Sequence, residues 1–366
     1  MNVLVFIPRL YTLKAYLFSA DLKREIFRSS INSYRDCSRL CSSLMELKKK
    51  VLHYADHAGS GPPVLLAFRA PFGGSLFRSP QLVDSQSIKN LKSLVTSSPL
   101  HLPALLNLLR LTGEVFKDSP AALVFETSFF VDLPEREHMD ALDIELIGSL
   151  GLRHFGYHGI FHQAACDQLI QQRGLAGAAV RAKTISICLE PRPEVAAVIG
   201  RRPVAVTSGS TPLEGLPGAS TCGELDPSIV LALARKPGWG PDQINRTLTQ
   251  ESGLKGLTGA QEISLPEVFT SSKNNCRLAR EIIRYRILLA CGSSKAAMGG
   301  VETILFSGRY ARLGKRLGPW LAGKLGTNGN GRIGWRLFTR PIEQVIAENA
   351  LILAGSGKPS KRGYSA

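Results

Sequence analysis

The sequence predicts an α/β chain of two domains, and three observations point there. The 366 residues exceed a single core of ordinary size, at roughly 150 residues per domain. Hydrophobic residues make up 44% and charged residues 20%, the balance of a protein with a real interior. A short continuous apolar run, Thr184 to Leu189, reads as a buried strand. It lies between two compact motifs, Gly156-Tyr157-His158-Gly159 and Thr211-Pro212-Leu213-Glu214-Gly215.

Taken in order, Met1 to Phe18 reads as a hairpin. Val3-Leu4-Val5-Phe6 and Leu13 to Phe18 are its strands, around a turn beginning at Pro8-Arg9. Residues 36 to 58 form a polar helix with Leu40, Leu44, Leu47 and Val51 near helical spacing. Pro62-Pro63 then precedes an apolar strand, Val64 to Phe68. A helix starts near His158 and runs through Gln163 to Gln172, which puts His158 and His162 one turn apart and able to share a metal. No third ligand is evident. Val195 to Val198 is the next strand, and Asp226 and Pro227 are the N-cap and first residue of another helix. Arg280 to Met298 reads as an apolar helix, and the Gly-rich stretch Gly326 to Gly334 as a mobile loop.

The bulk numbers exclude some classes. No apolar run reaches the roughly 20 residues of a transmembrane helix. Met1 to Ile7 is too short for the apolar core of a signal peptide, and Pro8-Arg9 interrupts it, so a cytoplasmic protein is expected. Seven cysteines are scattered, and the close pair Cys37 and Cys41 has no second pair at metal-ligand spacing. Free thiols in a reducing compartment follow. The formal charge of +16 favours polyanions. The basic residues are dispersed apart from Lys48-Lys49-Lys50, Arg309 to Arg316 and Lys358 to Arg362. A solvated basic surface is the expectation, with a nucleic-acid-binding protein as an alternative.

The run from Gly156-Tyr157-His158-Gly159 through Thr211 to Gly215 and on to Gly223-Glu224-Leu225-Asp226-Pro227 resembles the acetate and propionate kinases, which move phosphate between ATP and a carboxylate. The resemblance covers nearly the whole chain and is strongest between residues 153 and 259. It implies the actin/hexokinase-type (ribonuclease H-like) fold, two α/β domains of like topology with an interdomain cleft. The first domain would be 1–126, completed by 350–366, and the second 127–349. A homodimer, ATP, Mg2+ and a short-chain carboxylate are implied with it.

Residue by residue, the resemblance makes Lys14 a nucleotide contact. Arg69, in Arg69-Ala70-Pro71-Phe72-Gly73-Gly74, would hold the carboxylate or the transferring phosphoryl group, as guanidinium forks do. Glu126 would be the catalytic carboxylate at a strand end, and His158 would stabilise the phosphoryl group. Leu100, Tyr157 and Pro212 would line the acid's pocket. Gly308 would lie in the nucleotide loop, and Glu348 would serve magnesium.

Other positions depart from the family. Ile7, Arg9, Leu10, Tyr11 and Thr12 stand where the family has an Asn, a Gly and three Ser facing phosphate. Phe68 and Phe72 replace two histidines, and Thr221 replaces a second arginine. Cys188-Leu189-Glu190-Pro191-Arg192-Pro193-Glu194 replaces the phosphate loop. Its two prolines remove two N–H donors, and its two glutamates add negative charge beside an anion. The adenosine-contacting Asp-x-Arg is absent between Ala260 and Pro266, and one glycine of three remains between Ser307 and Arg312. Phosphoryl transfer needs in-line positioning and positive charge around the phosphoryl oxygens. With each loss costing on the order of a hundredfold, the expectation is an acetate-kinase-type activity that is weak or lost. The alternative is a pseudo-kinase that binds a small carboxylate, a nucleotide or a protein partner. Whether Arg192 or Arg309 supplies the missing charge is open at this level.

Overall fold

The structure is a computed structural model, and it describes residues 1–9, 12–32, 34–57, 64–174, 181–328 and 331–356. Leu10, Tyr11, Pro62-Pro63 and the tail Lys358 to Arg362 lie outside the described residues. The chain divides into two compact units: Met1–Val131 with the segment from Arg340 onward, and Asp132–Thr339.

The first unit is built on a six-stranded sheet. Val3–Pro8 (β1), Thr12–Phe18 (β2) and Glu25–Asn32 (β3) form an antiparallel meander. After helix α1 (Cys37–His57), strand β4 (Leu65–Ala70) returns parallel to β1. Gln81–Leu82 (β5), α2 (Ser85–Ser93) and α3 (Leu102–Val115) follow, and Ala121–Phe125 (β6) lies parallel to β4. The strand order is β3-β2-β1-β4-β6-β5. Strands β1 and β6 read as unbroken apolar runs because both faces are covered. The C-terminal helix Ile342–Ser356 packs on β1, β4 and β6. Phe68 is fully buried and stacks on Phe6 with centroids 5.0 Å apart, so the phenylalanine there belongs to the core.

The second unit repeats the pattern. It begins with two short helices, α4 (Glu135–His138) and α5 (Ile144–Leu150), and then α6 (Gly159–Gln172). Lys183–Cys188 (β7), Glu194–Ile199 (β8) and Arg202–Val206 (β9) form a second antiparallel meander. Helices α7 (Pro227–Ala234), α8 (Pro241–Gln250), α9 (Gly253–Thr258), α10 (Leu265–Thr270) and α11 (Asn274–Met298) lead to β10 (Thr303–Ser307), which is parallel to β7. Asp226 caps α7 by accepting the Ser228 N–H, as the sequence predicts. Helix α11 starts at Asn274, ahead of the predicted Arg280, since Lys273 takes the N-cap backbone conformation there.

After α12 (Gly314–Leu325), the predicted mobile loop contains order. Thr327–Asn328 (β11) pairs with Gly331–Arg332 (β12), and β13 (Gly334–Leu337) joins the main sheet parallel to β10. The order β9-β8-β7-β10-β13 matches β3-β2-β1-β4-β6 of the first unit strand for strand. Helix α11 packs on β7, β8 and β9 and supplies Ile283, Ile287 and Cys291 to the core. Among the described residues, no helix is long and apolar enough to cross a membrane.

Candidate active site

In the first unit, two chemically active side chains meet at the ends of neighbouring parallel strands. Arg69 of β4 is in register with Val124 of β6, and Glu126 is the first residue beyond β6. The Glu126 N–H donates to the Ala70 carbonyl at 2.9 Å, which extends the ladder by one step. Register therefore places the two side chains together, and Arg69 Nε donates to Glu126 Oε1. Glu126 is 1% exposed, so the pair is a buried one on the carboxylate side. The following turn is held by the Gly73 N–H, which donates to Thr127 Oγ1 at 2.9 Å. A Cβ on Gly73 would lie 2.7 Å from Phe125 Cδ1, so the close approach of turn and strand requires glycine.

The other residues of interest in this unit lie elsewhere on it. Lys14 is in β2, opposite Ile7 and Ser30. Leu100 is exposed, and its carbonyl accepts from Arg35 Nη2 at 2.6 Å. The wall position implied by the family is thus carried by a side chain that is 57% exposed. Glu348, on the C-terminal helix, accepts from Arg340 Nη2.

In the second unit, the site is assembled around a residue that the sequence reading misjudged. Glu194 opens β8 and is fully buried. Its Oε2 accepts the Tyr157 N–H at 2.8 Å and the Ser208 hydroxyl at 2.5 Å. Its Oε1 accepts the His158 N–H at 3.0 Å and lies 3.2 Å from His162 Nε2. Those N–H groups belong to the start of α6, where a carboxylate also meets the positive end of the helix. Burial alone would push the Glu194 carboxyl up. The His162 contact and the charges of His158, His162 and Arg192 outweigh it and hold the carboxyl well below the usual range.

Of the histidine pair spaced for a metal, the His162 ring lies against the Glu194 carboxylate and the His158 ring against the Arg192 carbonyl. His162 is fully buried, with Nδ1 2.7 Å from Ser186 Oγ. Among the described residues, no group of three or more His, Cys, Asp or Glu is placed to hold a metal ion.

Tyr157, His158 and Pro212, the three expected site residues of this unit's front loops, are brought together, and Arg192 joins them. The Arg192 guanidinium lies 5.4 Å from the Tyr157 ring centroid, within cation–π range. Its Nη1 donates to the Pro212 carbonyl at 2.5 Å and lies 3.5 Å from Ser208 Oγ. His158 Nε2 is 3.1 Å from the Arg192 carbonyl, which assigns the ring proton to Nε2. The Tyr157 hydroxyl donates to the Ser210 carbonyl at 2.9 Å, and burial pushes its pKa up.

The two loops where a nucleotide phosphate would be expected are closed on one another. Glu190 accepts the Arg309 N–H at 2.7 Å and Arg309 Nε at 2.9 Å. The Tyr310 N–H donates to the Leu189 carbonyl at 2.9 Å. Gly308, with φ +86°, leaves room for nothing more, since a Cβ there would meet Leu189 O at 2.8 Å. The expectation that Glu190 and Glu194 add negative charge beside an anion is therefore corrected. Glu190 is paired with Arg309, and Glu194 is an interior anchor.

Sequence reasoning did not foresee the roles of Glu194 and Ser208, and it left the role of Arg192 open. One signal was present: Pro191 and Pro193 bracket Arg192, giving a stiff loop poor in N–H groups whose usable donor is a side chain.

Comparisons with known proteins follow the same lines. A model of the Acetokinase family matches residues 58–311. An acetate kinase of Syntrophobacter fumaroxidans is 32% identical over 241 residues, covering 66% of this chain and 58% of that protein. One from Corynebacterium jeikeium is 31% identical over 254 residues, covering 68% and 62%. The matched stretch thus spans about 58% of the first relative's length. Among solved structures, acetate kinase of Porphyromonas gingivalis superposes with a TM-score of 0.83 at 19% identity, covering 96% of this chain and 99% of that one. A propionate kinase from Francisella tularensis gives 0.81 at 21% identity, covering 95% and 98%. At those identities the structures speak to the fold, and the expected actin/hexokinase-like architecture is the one observed.

Proposed function

The chain belongs to the acetokinase family, and on that premise we propose that it binds a short-chain carboxylate and transfers phosphate between it and ATP slowly or not at all. The observation that carries this reading is the convergence of Tyr157, His158, Pro212 and Arg192 in the second unit. An aromatic face, an imidazole and a guanidinium together suit a small acid with an apolar tail. The Arg69–Glu126 pair of the first unit is the second functional group in the proposal. Arg69 would meet an anionic oxygen, and Glu126 would fix the guanidinium.

The residues present do not fit an amide cradle for nucleotide phosphate. Pro191 and Pro193 have no N–H, and the Arg309 N–H is given to Glu190. Glu348, the expected magnesium ligand, is bonded to Arg340. ATP and Mg2+ therefore rest on family membership alone. A cytoplasmic homodimer belongs to the same proposal. It would give a partner to α7, whose Ile229 and Leu231 are exposed and which buries no residue of its own.

The test is acyl hydroxamate formation from acetate or propionate with MgATP, run beside His158→Ala and beside an acetate kinase of the family. Thermal shifts by acetate and by MgATP are read separately. The expected result is a shift with acetate, little with MgATP, and turnover far below the reference enzyme. Turnover equal to the reference would refute the weakened-transfer reading. No response to acetate or propionate would refute the carboxylate reading.

A further inference from the structure

We propose that Arg192 supplies the positive charge that binds the carboxylate in the second unit. This rests on the carboxylate reading above and names the residue that would carry it.

The loop that bears Arg192 has given up the amide mode of anion binding. Residues 191 and 193 are prolines, and the carbonyls of the loop face inward. The Pro191 carbonyl accepts the Ala219 N–H at 2.6 Å, and the Arg192 carbonyl faces His158 Nε2. With its backbone held in this way, the loop can meet an anion through a side chain. Arg192 is the basic one it has.

The guanidinium is also pre-positioned. Its contacts with the Tyr157 ring and the Pro212 carbonyl fix it beside an aromatic face. A planar fork beside an aromatic face matches a planar carboxylate with a short apolar tail. The Ser208 hydroxyl links it to the Glu194 carboxylate, at 2.5 Å from Glu194 and 3.5 Å from Arg192, and the two charges act on one another. Arg309, the other basic residue of the joined loops, is engaged with Glu190 through both its N–H and its Nε.

A charge swap is available from the geometry. A Cβ on Gly218 would lie 2.4 Å from Thr221 Oγ1 and 3.3 Å from Arg192 Cβ, so the side chains of 192 and 221 lie near one another. An arginine at 221 could reach the space that Arg192 vacates.

The experiment is a thermal-shift titration of the full chain with acetate, propionate and inorganic phosphate. The variants are Arg192→Lys, Arg192→Ala and Arg192→Ala with Thr221→Arg, and the ligand-free Tm serves as the folding control. Loss of a charged hydrogen bond should weaken acetate by about tenfold to a hundredfold in Arg192→Ala. Arg192→Lys should fall between, and the double variant should recover at least part of the loss. Wild-type acetate affinity in Arg192→Ala overturns the inference and leaves the carboxylate reading standing. If Arg192→Ala does not fold, Arg192→Lys decides, and unchanged affinity in it overturns the inference. A wild-type chain that responds to neither acetate nor propionate overturns both.

Discussion

Replacing Glu194 should be among the most damaging single changes in the second unit. The carboxylate is fully buried and accepts from two backbone N–H groups and one hydroxyl, with His162 3.2 Å away. In Glu194→Ala those donors lose their acceptor inside the protein, where each unmet group costs about 1–3 kcal/mol. Partial relaxation and water entry reduce the sum, so a loss of roughly 3–5 kcal/mol is expected, as for other broken buried pairs. At roughly 2–4 °C per kcal/mol for a unit of this size, Tm should fall by about 6–20 °C. Glu194→Gln keeps the shape and one acceptor but turns an amide donor toward other donors, so it should fall between Glu194→Ala and the wild type.

The pH dependence follows from the direction of the shift. The carboxyl is held below its unfolded value, so its stabilisation is present above the ordinary glutamate range and is lost as pH falls toward the folded pKa. The gap between wild type and Glu194→Gln should be constant near neutrality. Below about pH 4.5 it should narrow, by up to about 1.4 kcal/mol per pH unit. Circular dichroism melts of both proteins from pH 3 to pH 7.5 would show it. Equal Tm at pH 7, or a gap that does not change with acid, would refute the assignment of Glu194 as a charged anchor.

Other outcomes are expected from the same structure. Arg69→Ala should destabilise the first unit by about 3–5 kcal/mol in urea melts, because Glu126 stays buried and loses its guanidinium. Gly73→Ala should cost roughly 1–3 kcal/mol through overpacking, since its Cβ would stand 2.7 Å from Phe125 and 2.9 Å from Phe77. Glu190→Gln should change stability by less than about 1 kcal/mol, because Arg309 is partly exposed. By releasing Arg309 it should enlarge the thermal shift with MgATP. The Cys166 thiol, buried and pushed up to about 12, should resist alkylation in the native chain at pH 8 and react once urea unfolds it.

Much of the fold was legible because its signals are local. Thr184 to Leu189 reads as a strand from one apolar run, and Lys183–Cys188 forms it, with Leu189 just outside. Asp226-Pro227 reads as a helix start from cap chemistry alone. A misplaced boundary can have a local cause, as in the start of α11 at Asn274 and not Arg280. The Gly-rich stretch was harder. Glycines mark turns, but the pairing of Thr327 with Arg332 is decided by backbone hydrogen bonds that composition does not encode.

The site was legible in its residue types and only partly in its contacts. Resemblance picked out Arg69 and Glu126, Tyr157, His158 and Pro212, each within one of the two structural groups now seen. The sequence placed Glu194 as negative charge beside an anion, because a one-dimensional comparison places a side chain by loop position and not by the face of a strand. At the first residue of β8, that side chain points inward to the start of α6.

Two orders of information separate here. The amino-acid sequence by itself determined the alternation of strands and helices, the caps, the loss of N–H donors at Pro191 and Pro193, and the family. All of these depend on neighbours within a few positions or on matched motifs. Only the tertiary structure decided which charges meet. Arg69 and Glu126, 57 positions apart, pair through the register of two parallel strands. Glu194 and the start of α6, some 36 positions apart, meet through the packing of a helix end on a strand edge. Electrostatic free energy depends on distance and burial, and those are set when the sheets assemble.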